Sequence, residues 1–241
     1  MLGHGHDLSS LGRARDRPVT EQFAGTDTGR ASWQNRRHMA LDIRRARQHF
    51  ARTDPVMLAL VKRVGPCRLD RRVAPDAFQA LLRAIVAQQV SARAARTVYE
   101  RIVALAGTDT VTAPALLALD EDALRATGLG PTKTRYVRDL AAHVVDGRLP
   151  LTSICDLDDA AVIEALTDVR GIGTWTAEVF LIFQLQRLDV FPAADLALLT
   201  AIQRIYRKRR RPTPAEARRF AARWAPFRSI ASWYLWRSIE P

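Results

Sequence analysis

Cysteine, lysine and long apolar runs are scarce in this sequence, and each scarcity excludes a class of function. The two cysteines, Cys67 and Cys155, stand far apart with no CxxC pair and no His-rich neighbourhood. Neither a thiolate zinc site nor a four-thiolate iron–sulfur cluster can be assembled from them, so no metal of those kinds is expected. No uninterrupted apolar stretch, Val179 to Phe183 included, approaches the length of a bilayer crossing. The polar, His-containing N-terminal stretch has none of the basic, apolar and small-residue regions of a secretory leader. A cytoplasmic protein with no membrane association is therefore expected. Lysine is limited to Lys62, Lys133 and Lys208, yet Lys and Arg together number 37 against 25 acids, a net charge of +12. A coding bias explains arginine in place of lysine but not the positive excess, which suits a polyanionic partner, nucleic acid first.

The first 40 residues carry Gly3, Gly5, Gly12, Gly25 and Gly29 among scattered polar residues, without sustained apolar periodicity. They read as a disordered arm, residues 1–40. Six arginines and four acids fall there, so +10 of the net charge belongs to residues 41–241. From Leu41 onward apolar residues recur at helical spacing, punctuated by Gly, Pro and Asp/Ser/Thr. The pattern predicts helices at 42–51, 55–64, 75–86, 91–105, 113–118, 121–126, 132–146, 158–166, 174–183, 192–206, 214–224 and 227–238. With no strand-like run between them, the expected fold class is all-α.

One inter-helix junction stands out, Leu166-Thr-Asp-Val-Arg170-Gly171-Ile172-Gly173-Thr174-Trp175-Thr176. Gly171 and Gly173 permit positive φ and leave backbone N–H groups unobstructed, Ile172 is suited to plug between the flanking helices, and Thr174 is a good N-cap. The helix that follows presents partial positive charge, so the turn is suited to cradle a phosphate. An ordinary helical hairpin with a glycine C-cap would look the same locally. Downstream, Asp189-Val-Phe-Pro192-Ala-Ala-Asp195-Leu sets an aspartate 20 positions after Trp175. Three further stretches follow the same order along the chain: Ile85-Val-Ala-Gln88-Gln89-Val-Ser91, Gly128-Leu-Gly-Pro-Thr-Lys133-Thr-Arg-Tyr136, and Trp224-Ala-Pro-Phe-Arg228-Ser229-Ile-Ala-Ser-Trp233-Tyr-Leu-Trp236.

Taken together these motifs, over residues 42 to 241, resemble the helix-hairpin-helix DNA glycosylase superfamily, in its 3-methyladenine DNA glycosylase II branch. The resemblance implies two helical subdomains with a DNA cleft between them. One is central, about 76–190; the other is built from about 42–75 plus 191–241. It implies Asp195 as the catalytic aspartate, which in its ionised form stabilises the oxocarbenium sugar, activates the water or does both, although an acid at a helix N-terminus is also what the macrodipole favours. It further implies a DNA-binding hairpin of Arg170, Gly171, Ile172, Gly173, Thr174 and Thr176, and an intercalating wedge at Gln88 or Gln89, with Gln89 preferred. Trp175 and Trp236 would line the base pocket, core packing being the bland alternative for both.

Bifunctional relatives place a Schiff-base lysine where Trp175 stands, so the resemblance implies a monofunctional enzyme that releases an alkylated purine and leaves an abasic site. A second departure is Val179, where some relatives place an aromatic residue. No cofactor is implied beyond a monovalent cation compatible with the carbonyls of Val169 to Gly173. The expected partner is duplex DNA with alkylated bases, engaged by a monomer. The basic run of Arg204, Arg207, Lys208, Arg209, Arg210 and Arg211 reads equally as a set of phosphate contacts or a solvated loop. A glycosylase for another lesion and a non-catalytic hairpin DNA-binding protein are the competing functions.

Overall fold

The computed structural model describes residues 33–69 and 76–240, with side chains from Asp42 onward. Most helices open where a short polar side chain accepts the amide three residues ahead, the arrangement that satisfies one of the unpaired N–H groups of a first turn. Asp54 does so for α2 (Pro55–Val64), Asp76 for α3 (Ala77–Ala87), Ser91 for α4 (Ala92–Ala106) and Thr112 for α5 (Ala113–Ala118). Asp120 opens α6 (Glu121–Leu124), and the chain kinks at Gly128, where φ is +98°, before α7 (Gly130–Val145). Asp158 opens α8 (Asp159–Thr167), and α9 (Thr174–Phe183) follows the glycine turn. Asp195 caps α10 (Leu196–Ile205), a Thr213/Glu216 capping box starts α11 (Pro214–Ala221), and α12 (Arg228–Arg237) closes the fold. Among the described residues there is no strand, and no helix is long and apolar enough to cross a membrane.

Several helix ends shift by one to three residues from the sequence expectation, and two helix starts shift further. The first helix, α1 (Trp33–Thr53), begins inside the stretch assigned to the arm, of which residues 1–32 lie outside the described residues. The helix predicted from Pro192 starts only at Leu196, because the Asp195 carboxylate takes the amide of Leu198 and places the cap three residues later.

Helices α3, α4, α5 and α7 pack with one another, α8 packs on α9, and α9 reaches α3. Chain-remote α1 and α2 pack against the C-terminal end, α2 on α12 and α1 on the short helical turn Ala222–Trp224. One apolar core runs through both groups.

Asp54 ties the two ends of the chain together. One carboxylate oxygen caps α2 through Met57 N (2.9 Å), and the other accepts Tyr206 Oη (2.8 Å) and Trp224 Nε1 (2.9 Å). Burial, with the Asp54 carboxylate beside it, holds the Tyr206 phenol protonated well above its usual range. Asp54→Ala removes the cap and strands two enclosed donors. We expect it to lower the unfolding free energy by about 3–7 kcal/mol, from a cap near 1 and roughly 1–3 for each of the two orphaned donors. Urea unfolding of the variant checks this, and a change below about 1 kcal/mol would contradict the role assigned to Asp54.

Candidate active site and DNA-facing hairpin

The glycine turn is built by contacts between sequence-distant motifs. Gly171 has φ +84°, a left-handed conformation, and a Cβ placed there would lie 2.2 Å from Cδ2 of the Tyr136 ring. Glycine is thus required twice, by the backbone and by the ring packed on it. Gly171 O accepts Gln88 Nε2 (2.8 Å), and Val86 O accepts Lys133 Nζ (2.7 Å), so the Gln-Gln junction is fastened to the hairpin and to α7. Desolvation at this position lowers the Lys133 pKa. Ile172 is buried as a plug, and Arg170 is exposed, its amide donating to Asp139 Oδ2 (2.8 Å).

Two details of the turn correct the sequence reading. Gly173 is not in the positive-φ region but extended, with φ −97°, and it is Gly173 rather than Thr174 that occupies the N-cap of α9. No side chain caps this helix, and a Cβ at Gly173 would meet nothing within 4 Å. The first-turn amides of residues 174–176 are therefore left to an outside acceptor, which a capping Thr side chain would have displaced. Thr174 is exposed, while the Thr176 side chain is buried, so Thr176 can offer only its backbone to the surface.

A buried acid is bonded to Trp175 in the first turn of this helix. Asp195 is 4% exposed, and its carboxylate accepts Trp175 Nε1 (2.7 Å) on Oδ2 and Leu198 N (2.8 Å) on Oδ1. Burial raises the Asp195 pKa; the bonds from Leu198 and Trp175 oppose that rise. Trp236 is enclosed at 1% exposure with one face stacked on Phe183, at 5.6 Å between centroids. Its indole N–H lies near enough to Asp195 to favour the ionised form, yet falls short of hydrogen-bond geometry, so Nε1 has no partner among the described residues. Trp175 is half-buried, with its edge bonded to Asp195, whereas Val179 one turn later is fully buried.

The loop that carries Asp195 is clasped by the C-terminal motif. Arg228 grips Asp189 with both ends of its fork, Nε to Oδ1 at 2.7 Å and Nη2 to Oδ2 at 2.9 Å. Ser229 Oγ accepts Val190 N (2.9 Å) and donates to Arg187 O (2.6 Å). Sequence reasoning missed this clasp, and it missed Glu178. Three residues beyond Trp175 on α9, Glu178 has its pKa pushed up to about 7 by burial, with Arg218 lowering it and Asp195 raising it. The available signal was a lone acid one turn past Trp175 in an otherwise apolar helix. Of the two glutamines, Gln88 is committed to Gly171, while Gln89 is exposed with φ +56°.

An uncapped, glycine-opened helix end at the surface, with an enclosed acid held by the indole of its first turn, is an all-helical arrangement suited to hold an anion beside a titratable group. The chain belongs to the HhH-GPD superfamily of base excision DNA repair proteins, whose family profile matches residues 82–227. It is 29% identical over 210 residues to DNA-3-methyladenine glycosylase 1 of Schizosaccharomyces pombe, covering 86% of this chain and 92% of that protein. With DNA-3-methyladenine glycosylase 2 of Escherichia coli it shares 33% identity over 187 residues, covering 72% and 62%. The solved structure of the S. pombe 3-methyladenine DNA glycosylase Mag1 in complex with abasic DNA superposes with a TM-score of 0.71 and 30% identity. That match covers 80% of this chain and 96% of the other.

Proposed function

We propose that this protein is a monofunctional DNA glycosylase that extrudes an alkylated purine, of the 3-methyladenine or 7-methylguanine type, from duplex DNA and hydrolyses its N-glycosidic bond. The observation that carries the reading is Asp195, enclosed and held by the Trp175 indole in the uncapped first turn of α9. The hairpin amides of residues 173–176 take a backbone phosphate, and Gln89 enters the stack that the extruded nucleotide leaves. Gln88 serves as a strut, since its amide is already spent on Gly171.

Methylation at N3 or N7 leaves the purine cationic, so the bond to C1′ is weak and the base departs neutral with the bonding pair. Water supplies the oxygen that bonds C1′ and gives up a proton. The Asp195 carboxylate stabilises the oxocarbenium character of the sugar and receives or relays that proton. The exposed part of Trp175 offers an electron-rich face to a cationic base, and Trp236 backs the pocket. No amine stands at position 175, and Lys133 spends its ammonium on Val86 O, which supports water rather than a Schiff base as the nucleophile. A monovalent cation at the backbone carbonyls of residues 169–173 is part of this reading; Val169 O, Gly171 O and Gly173 O would share it with the donors they already accept, Ile172 N, Gln88 Nε2 and Ala177 N. That cation would add positive charge beside the bound phosphate. We take the active form to be a monomer.

The test is incubation with dimethyl-sulfate-treated duplex DNA and chromatography for released bases. Free methylpurine, with no strand nicking and no borohydride-trapped adduct, is the expected result. Tight duplex binding without release would reject the reading.

The acid also predicts a pH dependence. Its burial-raised pKa means that excision falls as pH drops through a value above the ordinary carboxylate range, because the reactive form is the ionised one. Trp175→Phe removes the donor to Oδ2 that favours ionisation, so the acidic limb of the single-turnover rate profile is expected to move to higher pH. An unmoved limb would show that the indole bond does not support the carboxylate.

A further inference from the structure

The basic run that follows α10 is not a plain solvated loop. It closes with α11 into an open hollow of about 580 Å³, rimmed by Lys208, Arg209, Arg210, Arg219 and Arg223 around the ring of Phe220. Its construction is specific. Lys208 Nζ lies 4.5 Å from the Phe220 centroid and the Arg223 guanidinium 3.9 Å, so both cations rest on one aromatic ring, which is itself packed edge-on against Tyr206 and Trp224. Arg210 is neutralised by a two-pronged pair with Glu216, 2.8 and 2.7 Å, and that pair belongs to the capping box of α11. Glu216 is the only acid of the lining among the described residues. Lys208, Arg209, Arg219 and Arg223 are therefore four cations gathered without a carboxylate among them, an arrangement that repels itself unless an anion fills it.

Helix α11 runs from the hollow to the neighbourhood of Glu178. Arg218 bears electrostatically on Glu178 beside Asp195, and the next residue, Arg219, lines the hollow. Along α10 the two places are separated by one helix of ten residues, about 15 Å at 1.5 Å per residue, because Asp195 caps its start and Tyr206 its end. Fifteen ångströms is about four to five base pairs of duplex.

We propose that this hollow is a second phosphate-binding site, which takes the DNA backbone roughly half a helical turn from the base being removed. It adds sequence-independent, salt-dependent affinity rather than chemistry. The inference rests on the reading of this protein as a DNA-binding enzyme but not on which lesion it excises.

The double variant Arg209→Gln/Arg219→Gln changes two exposed side chains for which the hollow supplies no carboxylate partner. Its affinity for undamaged duplex, followed by fluorescence anisotropy from 50 to 300 mM salt, is expected to show a plot of log K against log [salt] shallower by about 2, one unit for each phosphate no longer neutralised. The single-turnover excision rate at saturating enzyme and the melting temperature should match the wild type. An unchanged slope overturns the proposal. A second arm titrates both proteins with tripolyphosphate alone. Loss of tripolyphosphate binding together with an unchanged DNA slope would make the hollow a site for small polyanions and likewise overturn it. If the wild type releases no methylpurine while the slope still falls, the proposed chemistry fails and the second phosphate site stands.

Discussion

Asp195→Asn should leave a folded protein that still binds duplex DNA and excises methylpurine about 10²- to 10⁴-fold more slowly, the range associated with a positioned acid or base. Asparagine is nearly isosteric and caps helices as well as aspartate does, so the acceptor for Leu198 N survives and α10 keeps its start. What vanishes is the negative charge that the proposed chemistry requires, together with the second oxygen that accepts Trp175 Nε1.

Stability provides a separate readout, because the folded-state pKa of Asp195 lies above its ordinary value through burial. A group shifted in that direction favours the native state below its unfolded pKa, and the benefit is lost as pH rises through the folded pKa. Above that folded-state pKa the wild type holds a buried charge at a cost that the asparagine variant escapes, while the variant loses the acceptor for Trp175 Nε1 at every pH. The melting temperature of the variant relative to the wild type is therefore expected to be more favourable at pH 7 than in acid, where both side chains are neutral. Single-turnover release of 3-methyladenine and paired melts at pH 7 and in acid check the two halves. Excision retained at the wild-type rate would remove Asp195 from the chemistry.

The second large effect is expected at Gly171. Alanine there must adopt φ +84° with its Cβ overlapping the Tyr136 ring. The backbone costs about 1–3 kcal/mol and the overlap a further 1–3, so destabilisation of roughly 2–6 kcal/mol is expected. Any repair of the overlap displaces Tyr136 or the turn, and with the turn goes the carbonyl that holds Gln88. Duplex affinity should fall at least tenfold. Adding Tyr136→Ala to Gly171→Ala clears the overlap but leaves the φ strain, so partial recovery of stability separates the two causes. Urea unfolding and anisotropy titrations read both. Wild-type affinity in the single variant would show that the turn does not grip DNA. Alanine at Gly173, where φ is negative and the space open, should cost the fold far less.

Much of this architecture is legible in the sequence because caps are local. Asp76, Ser91, Asp158 and Thr213 each mark a helix start with a bond to an amide three residues away, and apolar spacing carries the rest. The order of the motifs is legible for the same reason. What the sequence does not reveal is which distant partner a side chain takes. Nothing in the spacing says that Trp175 spends its N–H on Asp195, that Arg228 holds Asp189, or that Asp54 collects Tyr206 and Trp224 from the other end of the chain. Apolar spacing misplaces the start of α10 because Pro192 is a plausible first helical residue, and only the capping bond from Leu198 shows that the acid itself ends the loop. Thr174 reads as a cap in the sequence because glycine competes for that position without any side-chain signal.

The bond between Gln88 and Gly171 joins residues 83 positions apart, and it fixes the Gln-Gln junction against the phosphate-facing turn. In the proposed roles, grip and insertion are then two jaws of one caliper, set to a single separation between a backbone phosphate and a gap in the base stack. A duplex must fit both jaws at once. An A-form helix differs in groove shape and backbone path from the B-form, so it meets one jaw and misses the other. If those roles hold, weaker binding of RNA-containing duplexes is the expected consequence of a distance held inside the protein, before any base is read.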